Sequence, residues 1–103
     1  MDRIERLKEF LTATPNDCFV KHALALEYVK LGDEAAAEQQ FKEVLIINDN
    51  YIGSYYHLAK LLERKGAEAE AIRIYETGMK KAKAAGDNRS YSELQSAYED
   101  LTY

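Results

Sequence analysis

Several kinds of residue are scarce in this chain of 103 amino acids, and each scarcity excludes a class of protein. There is one cysteine, so no disulfide can form within the chain, as is typical of proteins from a reducing compartment. No apolar run approaches the roughly 18 residues that a membrane-spanning helix needs. The net charge of −4 disfavours nucleic acid and anionic membranes as partners, because both select clustered basic surfaces.

The chain also lacks the patterns that mark catalytic and cofactor sites. It contains no glycine-rich phosphate loop, zinc-protease motif or nucleophile elbow. Cys18 would need a nearby base to act as a nucleophile, and His22 and His57 would need further ligands to hold a metal. We therefore expect no enzymatic activity, no cofactor and no bound metal. The charged N-terminus has no apolar signal core, so we expect a cytoplasmic protein.

What remains is typical of a helical protein. Hydrophobic residues make up 47% of the chain, too many for a disordered segment, and charged residues make up 31%. No alternating β-branched run predicts a strand, whereas apolar stripes at helical spacing recur throughout. Because Pro15 is the only proline, it marks one clear helix end. The stripes, breakers and capping residues predict six helices, at about 2–13, 17–31, 34–47, 51–65, 67–85 and 90–101.

One segment of the sequence recurs after 34 residues. Four residues return unchanged and an aromatic position is kept: Leu24, Ala25, Gly32, Ala37 and Phe41 are matched by Leu58, Ala59, Gly66, Ala71 and Tyr75. A fixed period of this length indicates a repeat architecture. The residue types and their spacing resemble the tetratricopeptide repeat, a helix–turn–helix unit. In that family the conserved small residues let the paired helices approach closely, so we expect these positions to form the core.

The resemblance implies an all-α fold in which antiparallel helix–turn–helix repeats stack as a short right-handed α-solenoid of about six helices. We expect residues 1–103 to form a single domain. Its predicted parts are an orphan N-terminal helix at 1–15, repeats at 18–51 and 52–85, and a C-terminal capping helix at 88–103. Ser90 and Glu93 have the spacing of a capping box at the start of that last helix. The sequence departs from the family pattern at three slots, where the two repeats hold Lys21 and Tyr55, Val44 and Gly78, and Asp49 and Lys83.

The resemblance further implies a protein–protein interaction module that binds a peptide or helix of a partner in a concave groove lined by the first helix of each repeat. Lys30, Lys60 and Arg64 suggest an acidic or carboxylate-bearing partner, and Tyr56 is the tyrosine expected to contact it. The family's chaperone-binding carboxylate clamp is not expected, because Ala23 and His57 stand where its asparagine would lie. The predicted groove residues are Phe19, His22, Leu26, Lys30, Tyr56, Lys60, Glu63, Arg64, Arg89, Ser92 and Ser96.

Other interpretations are open at this point. The groove residues could be scattered surface positions without a ligand. The chain could be a structural module that associates with itself, as a homodimer or by end-to-end stacking, or a regulatory segment of a larger protein. We expect a monomer or a weak homodimer. The run Lys80-Lys81-Ala82-Lys83 is explained by a helix end, where lysines complement the negative end of the dipole.

Overall fold

A computed structural model describes residues 2–103, and within them the chain is all-α. Its helices are α1 (Arg3–Ala13), α2 (Cys18–Leu31), α3 (Glu34–Ile47), α4 (Gly53–Lys65), α5 (Glu68–Ala85) and α6 (Asn88–Thr102). The predicted class and the predicted six helices are thus confirmed for this part of the chain. None of the helices found there is both long and apolar enough to cross a membrane.

The chain divides into two compact units, of which the first ends at Asn48 and the second begins at Asp49. In the first unit α2 packs against both α1 and α3. In the second unit α5 packs against both α4 and α6, and α6 also touches α4. The connections inside each unit are short, which makes consecutive helices antiparallel neighbours. The division lies close to the repeat boundary predicted after Tyr51, and the assignment of residues 1–103 to a single domain stays a prediction.

The repeated positions form the core of each unit, as predicted. In the first unit Ala25, Ala37 and Phe41 have no solvent exposure. Their counterparts in the second unit, Ala59, Ala71 and Tyr75, are equally buried. Alanine at these sites leaves room for the helix axes to approach, and the large aromatic fills the remaining space between the helices. The same few positions therefore determine both the repeat in the sequence and the packing of each unit.

Caps at both ends define most of the helices. The sequence predicts Asp2 and Asp33 as caps, and either Asn16 or Asp17 as the cap before α2. In the structure Asp2, Asp17 and Asp33 each accept a hydrogen bond from a backbone N–H in the first turn of the helix that follows. Gly32 ends α2 at φ 79° and Gly66 ends α4 at φ 87°, which are left-handed conformations that glycine adopts without strain. These residues stop one helix and start the next within a few positions, and so produce the tight turns of each unit.

Two predicted helix starts differ from the structure by two residues, and the others by one at most. Helix α4 begins at Gly53 rather than at Tyr51, because the amides of Ser54 and Tyr55 bond to carbonyls only three residues back, as in a turn. Helix α6 begins at Asn88 rather than at Ser90, because Asp87 is the cap and accepts from the Ser90 amide at 3.1 Å. The capping box predicted at Ser90 and Glu93 is therefore wrong, because the cap residue is Asp87, three residues before Ser90.

The departures from the family pattern have a steric basis in the second unit. Gly78 lies inside α5, and a Cβ atom there would be 2.7 Å from the Cβ of Tyr55 on α4. The Tyr55 hydroxyl donates a hydrogen bond to the Asp49 carbonyl at 2.6 Å, which ties the turn before α4 to that helix. Burial raises the pKa of Tyr55, and the charge of Asp49 adds to this. The large side chain of Tyr55 thus fits against α5 because the facing residue, Gly78, has no side chain.

Candidate functional site

A cleft of about 460 Å³ lies between α4 and α6 in the second unit. Helix α4 contributes two residues one turn apart, and α6 contributes a stripe along its exposed side. We call it the α4–α6 cleft. It is lined by Tyr56, Lys60, Ser92, Glu93, Ser96, Ala97 and Asp100. Four of these were predicted from the sequence as groove residues: Tyr56, Lys60, Ser92 and Ser96.

Tyr56 is the aromatic side chain of this cleft, and its neighbours hold the ring in place. The Nζ atom of Lys60 lies 5.7 Å from the ring centroid, within the range of a cation–π contact. The ring of His57 meets that of Tyr56 edge to face, with centroids 5.7 Å apart. Burial lowers the pKa of His57, against the opposing effect of Glu93. The Tyr56 ring therefore offers a half-buried aromatic surface to a ligand.

The charges around the α4–α6 cleft are mixed. Lys60 lies 3.6 Å from the Glu63 carboxylate on the next turn of α4. On α6, Arg89 pairs with Glu93 at 3.2 Å, and Asp100 adds a second carboxylate to the lining. A ligand here meets one ammonium and two carboxylates together with the hydroxyl groups of two serines. Such a lining can bond to a peptide backbone without selecting a strongly charged segment.

Three further groove residues predicted in this unit do not line the cleft. Glu63 accepts a hydrogen bond from the hydroxyl of the buried Tyr75, and burial, together with this bond, raises the pKa of the tyrosine. Arg64 and Arg89 are exposed. Glu63 is thus tied to the core of the unit, and Arg89 to Glu93.

The other four predicted groove residues belong to the first unit. Phe19 is 71% exposed, and Lys30 is exposed and pairs with Glu27 at 3.0 Å. His22 and Leu26 are half-buried, and the His22 ring contacts the edge of the core residue Phe41 at a centroid distance of 5.4 Å. His22 therefore also contributes to packing. A groove formed by both repeats stays a prediction.

Sequence reasoning missed three residues of the α4–α6 cleft, which are Glu93, Ala97 and Asp100. A signal for Asp100 was present, because Ser92, Ser96 and Asp100 follow one another at intervals of four on α6. Residues at that spacing share a helix face. Extending the stripe by one turn beyond Ser96 would have included the carboxylate and corrected the expected charge of this surface.

Among the described residues, no group of three or more histidine, cysteine, aspartate and glutamate side chains is arranged to hold a metal ion. Cys18 is half-buried, with its Sγ atom 3.8 Å from the Val44 carbonyl oxygen. The predicted absence of enzymatic activity stays a prediction.

Helix pairs that recur with a fixed period define an all-α helical-repeat protein. No protein-family model and no curated protein matches the chain significantly. Solved structures do match. A tetratricopeptide repeat domain protein from Salinibacter ruber, determined by solution NMR, is 37% identical, with a TM-score of 0.80 over 84% of this chain and 88% of its own. A crystal structure of such a domain protein from that organism gives 36% identity and a TM-score of 0.81, over 84% of this chain and 97% of its own. The chain belongs to the tetratricopeptide repeat family.

A more distant structure has the same fold. The TPR2B domain of yeast Sti1, solved as a complex with pHsp70, has a TM-score of 0.89 at 16% identity, and the match covers 96% of this chain and 79% of that one. At this identity the likeness concerns the fold alone.

Proposed function

We propose that this chain binds a peptide or helical segment of a partner protein through the exposed side of α4 and the neighbouring α6 in the second unit. The observation that carries the proposal is the α4–α6 cleft, where Tyr56 and Lys60 from one helix meet Ser92 and Ser96 from another. An aromatic wall beside hydroxyl groups suits an apolar side chain flanked by peptide backbone. The yeast domain of the same fold, solved with pHsp70, supports partner binding as a use of this architecture.

The ion pairs that the groove lysines form within their own helices bear on the charge expected of the partner. An acidic partner was expected because of Lys30, Lys60 and Arg64, but two of these cations already lie beside carboxylates of their own helices. The lining of the α4–α6 cleft carries more carboxylates than ammonium groups. These charges favour a segment of mixed charge at this cleft. The cytoplasmic location and the exclusion of nucleic acid and membranes as partners stay predictions.

A bulky substitution inside the cleft tests the proposal. Peptides are selected by panning a displayed library on the protein, and their affinities are then measured by fluorescence anisotropy. Ser96→Tyr fills the cleft from an exposed position, so we expect affinity to fall about tenfold or more. Thr77→Tyr, at an exposed position of α5, is the matched control and is expected to bind as the unmodified protein does. Selected peptides that bind Ser96→Tyr with unchanged affinity would overturn the assignment of this cleft.

Self-association is the second candidate function, and the first unit supports it. Of the large apolar side chains that are exposed in the described residues, five lie there: Phe10, Phe19, Leu31, Ile46 and Ile47. These five side chains are the exposed apolar surface that an assembly through the first unit would cover.

A further inference from the structure

The second unit contains another cleft, between α5 and α6, with a volume of about 380 Å³. It shares no lining residue with the α4–α6 cleft, so it is a separate surface. We call it the α5–α6 cleft. It is lined by Glu76, Met79, Lys80, Lys83, Tyr91 and Tyr98.

The lysines of the run Lys80-Lys81-Ala82-Lys83 have different environments. Lys81 forms an ion pair with Asp49 at 3.1 Å, and Ala82 is fully buried. Lys80 and Lys83 are exposed, line the α5–α6 cleft and have no ion pair with any described residue. The helix dipole accounts for Lys83, which lies in the last turn of α5, but its effect fades before Lys80. The helix-end explanation therefore covers Lys83 but not Lys80.

The acidic residue closest to these lysines along the helix is engaged elsewhere. Glu76 precedes Lys80 by four residues, a spacing at which glutamate and lysine commonly pair on a helix. Instead, the Tyr98 hydroxyl on α6 donates a hydrogen bond to Glu76 Oε2 at 3.1 Å. That bond joins the two walls of the cleft and holds the carboxylate against α6. Both ammonium groups remain available to a ligand.

The rest of the lining is apolar and partly exposed. Tyr91 and Tyr98 occupy the slots that Tyr55 and Leu62 hold in α4, where those side chains are at most 3% exposed. On α6 the same slots are only half-buried, and with Met79 they line the α5–α6 cleft. An aromatic and thioether wall beside two cations is a surface for an apolar side chain that has negative neighbours.

We propose that the α5–α6 cleft binds an acidic peptide segment, in which an aliphatic or aromatic side chain packs on Tyr91 and Met79 while adjacent carboxylates pair with Lys80 and Lys83. Charge complementarity carries this choice, because the two cations have no ion-pair partner within residues 2–103 on a chain of net charge −4. Two lysines are too few to hold a nucleic acid, which binds through many phosphate contacts.

Anisotropy titrations with two labelled peptides test the proposal. The first is a short peptide of aspartate and glutamate residues around a central leucine, and the second replaces every acid by its amide. The acidic peptide is expected to bind at least about tenfold more tightly than its amide counterpart, and less tightly in high salt. The charge reversal Lys80→Glu/Lys83→Glu is expected to abolish that difference. Both substituted positions are exposed, so the variant is expected to fold, as circular dichroism can verify.

Lys65→Glu/Arg73→Glu is the matched control, because it makes the same change in net charge at two exposed positions outside the cleft. It is expected to keep the preference for the acidic peptide. Equal affinity for the two peptides, or the same loss in both double variants, would overturn the proposal. Ser96→Tyr in the other cleft is expected to leave this binding unchanged, so the two proposals succeed or fail separately.

Discussion

Gly78 illustrates how the identity of one residue depends on the residue that faces it. In the second repeat the facing slot holds Tyr55, whose Cβ atom would lie 2.7 Å from any Cβ added at Gly78. In the first repeat the same two slots hold Lys21 and Val44. The sequence shows both differences, but only the packing of α4 against α5 shows that they belong together.

Gly78→Ala is therefore expected to destabilise the protein. Alanine favours a helix interior by about 1 kcal/mol over glycine, whereas overpacking costs about 1–3 kcal/mol, because neither Cβ atom can rotate away. At a Cβ–Cβ separation of 2.7 Å the overpacking cost lies in the upper part of that range, so a net loss of about 1–2 kcal/mol is expected, visible as a lower urea midpoint. Thr77→Ala, at the exposed neighbouring position, is expected to change stability by less than about 0.5 kcal/mol. A Gly78→Ala protein as stable as the original would contradict the close approach.

At the scale of the helix, apolar periodicity predicted where each element lies but did not always predict its first residue. Helix α3 occupies the predicted residues 34–47, because Asp33 is the only capping side chain directly before its apolar stripe. Before α6 the sequence offers Asp87, Asn88 and Ser90, and all three types cap helices well. Choosing among them requires knowing which side chain reaches an unpaired amide. That depends on backbone conformation and is not visible in residue types.

The cap of α6 can be tested by substitution. Asp87→Ala removes the carboxylate that accepts from the Ser90 amide, so a loss of about 1 kcal/mol is expected, with faster hydrogen exchange in the first turn of α6. Asp87→Asn keeps an acceptor and is expected to recover most of that loss. Asn88→Ala changes an exposed neighbour and is expected to have little effect. If Asn88→Ala destabilised the protein more than Asp87→Ala, the cap would be misassigned.

The candidate site was predictable only in part, because helical periodicity indicates which residues are exposed but not which charged side chains are paired. Tyr56 and Lys60 could be placed on the exposed side of α4 because the repeat fixes which positions are buried. The charge of the site could not be predicted in this way, since it depends on partners such as Glu63 for Lys60 and Glu93 for Arg89. Ion pairs follow from side-chain geometry, whereas a count of basic residues treats every cation as available.

At the scale of the whole molecule, the exposed apolar side chains bear on the choice between partner binding and self-association. Phe10 is 62% exposed on α1 and Phe19 is 71% exposed on the adjoining α2, whereas in the second unit Tyr103 is the large apolar residue with comparable exposure. Phe19 also belongs to the predicted partner-binding face. Association through Phe10 and Phe19 would therefore cover part of that face.

Sedimentation equilibrium over a range of concentrations provides the measurement. Burying two large aromatic side chains supports only weak association, so the average mass is expected to rise above that of the monomer only at concentrations on the order of 1 mM. Phe10→Ser/Phe19→Ser is expected to remove that rise, and Tyr103→Ser, at a position that is 95% exposed, is expected to keep it. A protein that stays monomeric at the highest concentration would exclude self-association and leave partner binding as its function. If the dimer persists in the double variant, the contact lies elsewhere on the protein. Binding of the selected peptides to that dimer would then show whether the α4–α6 cleft is still open.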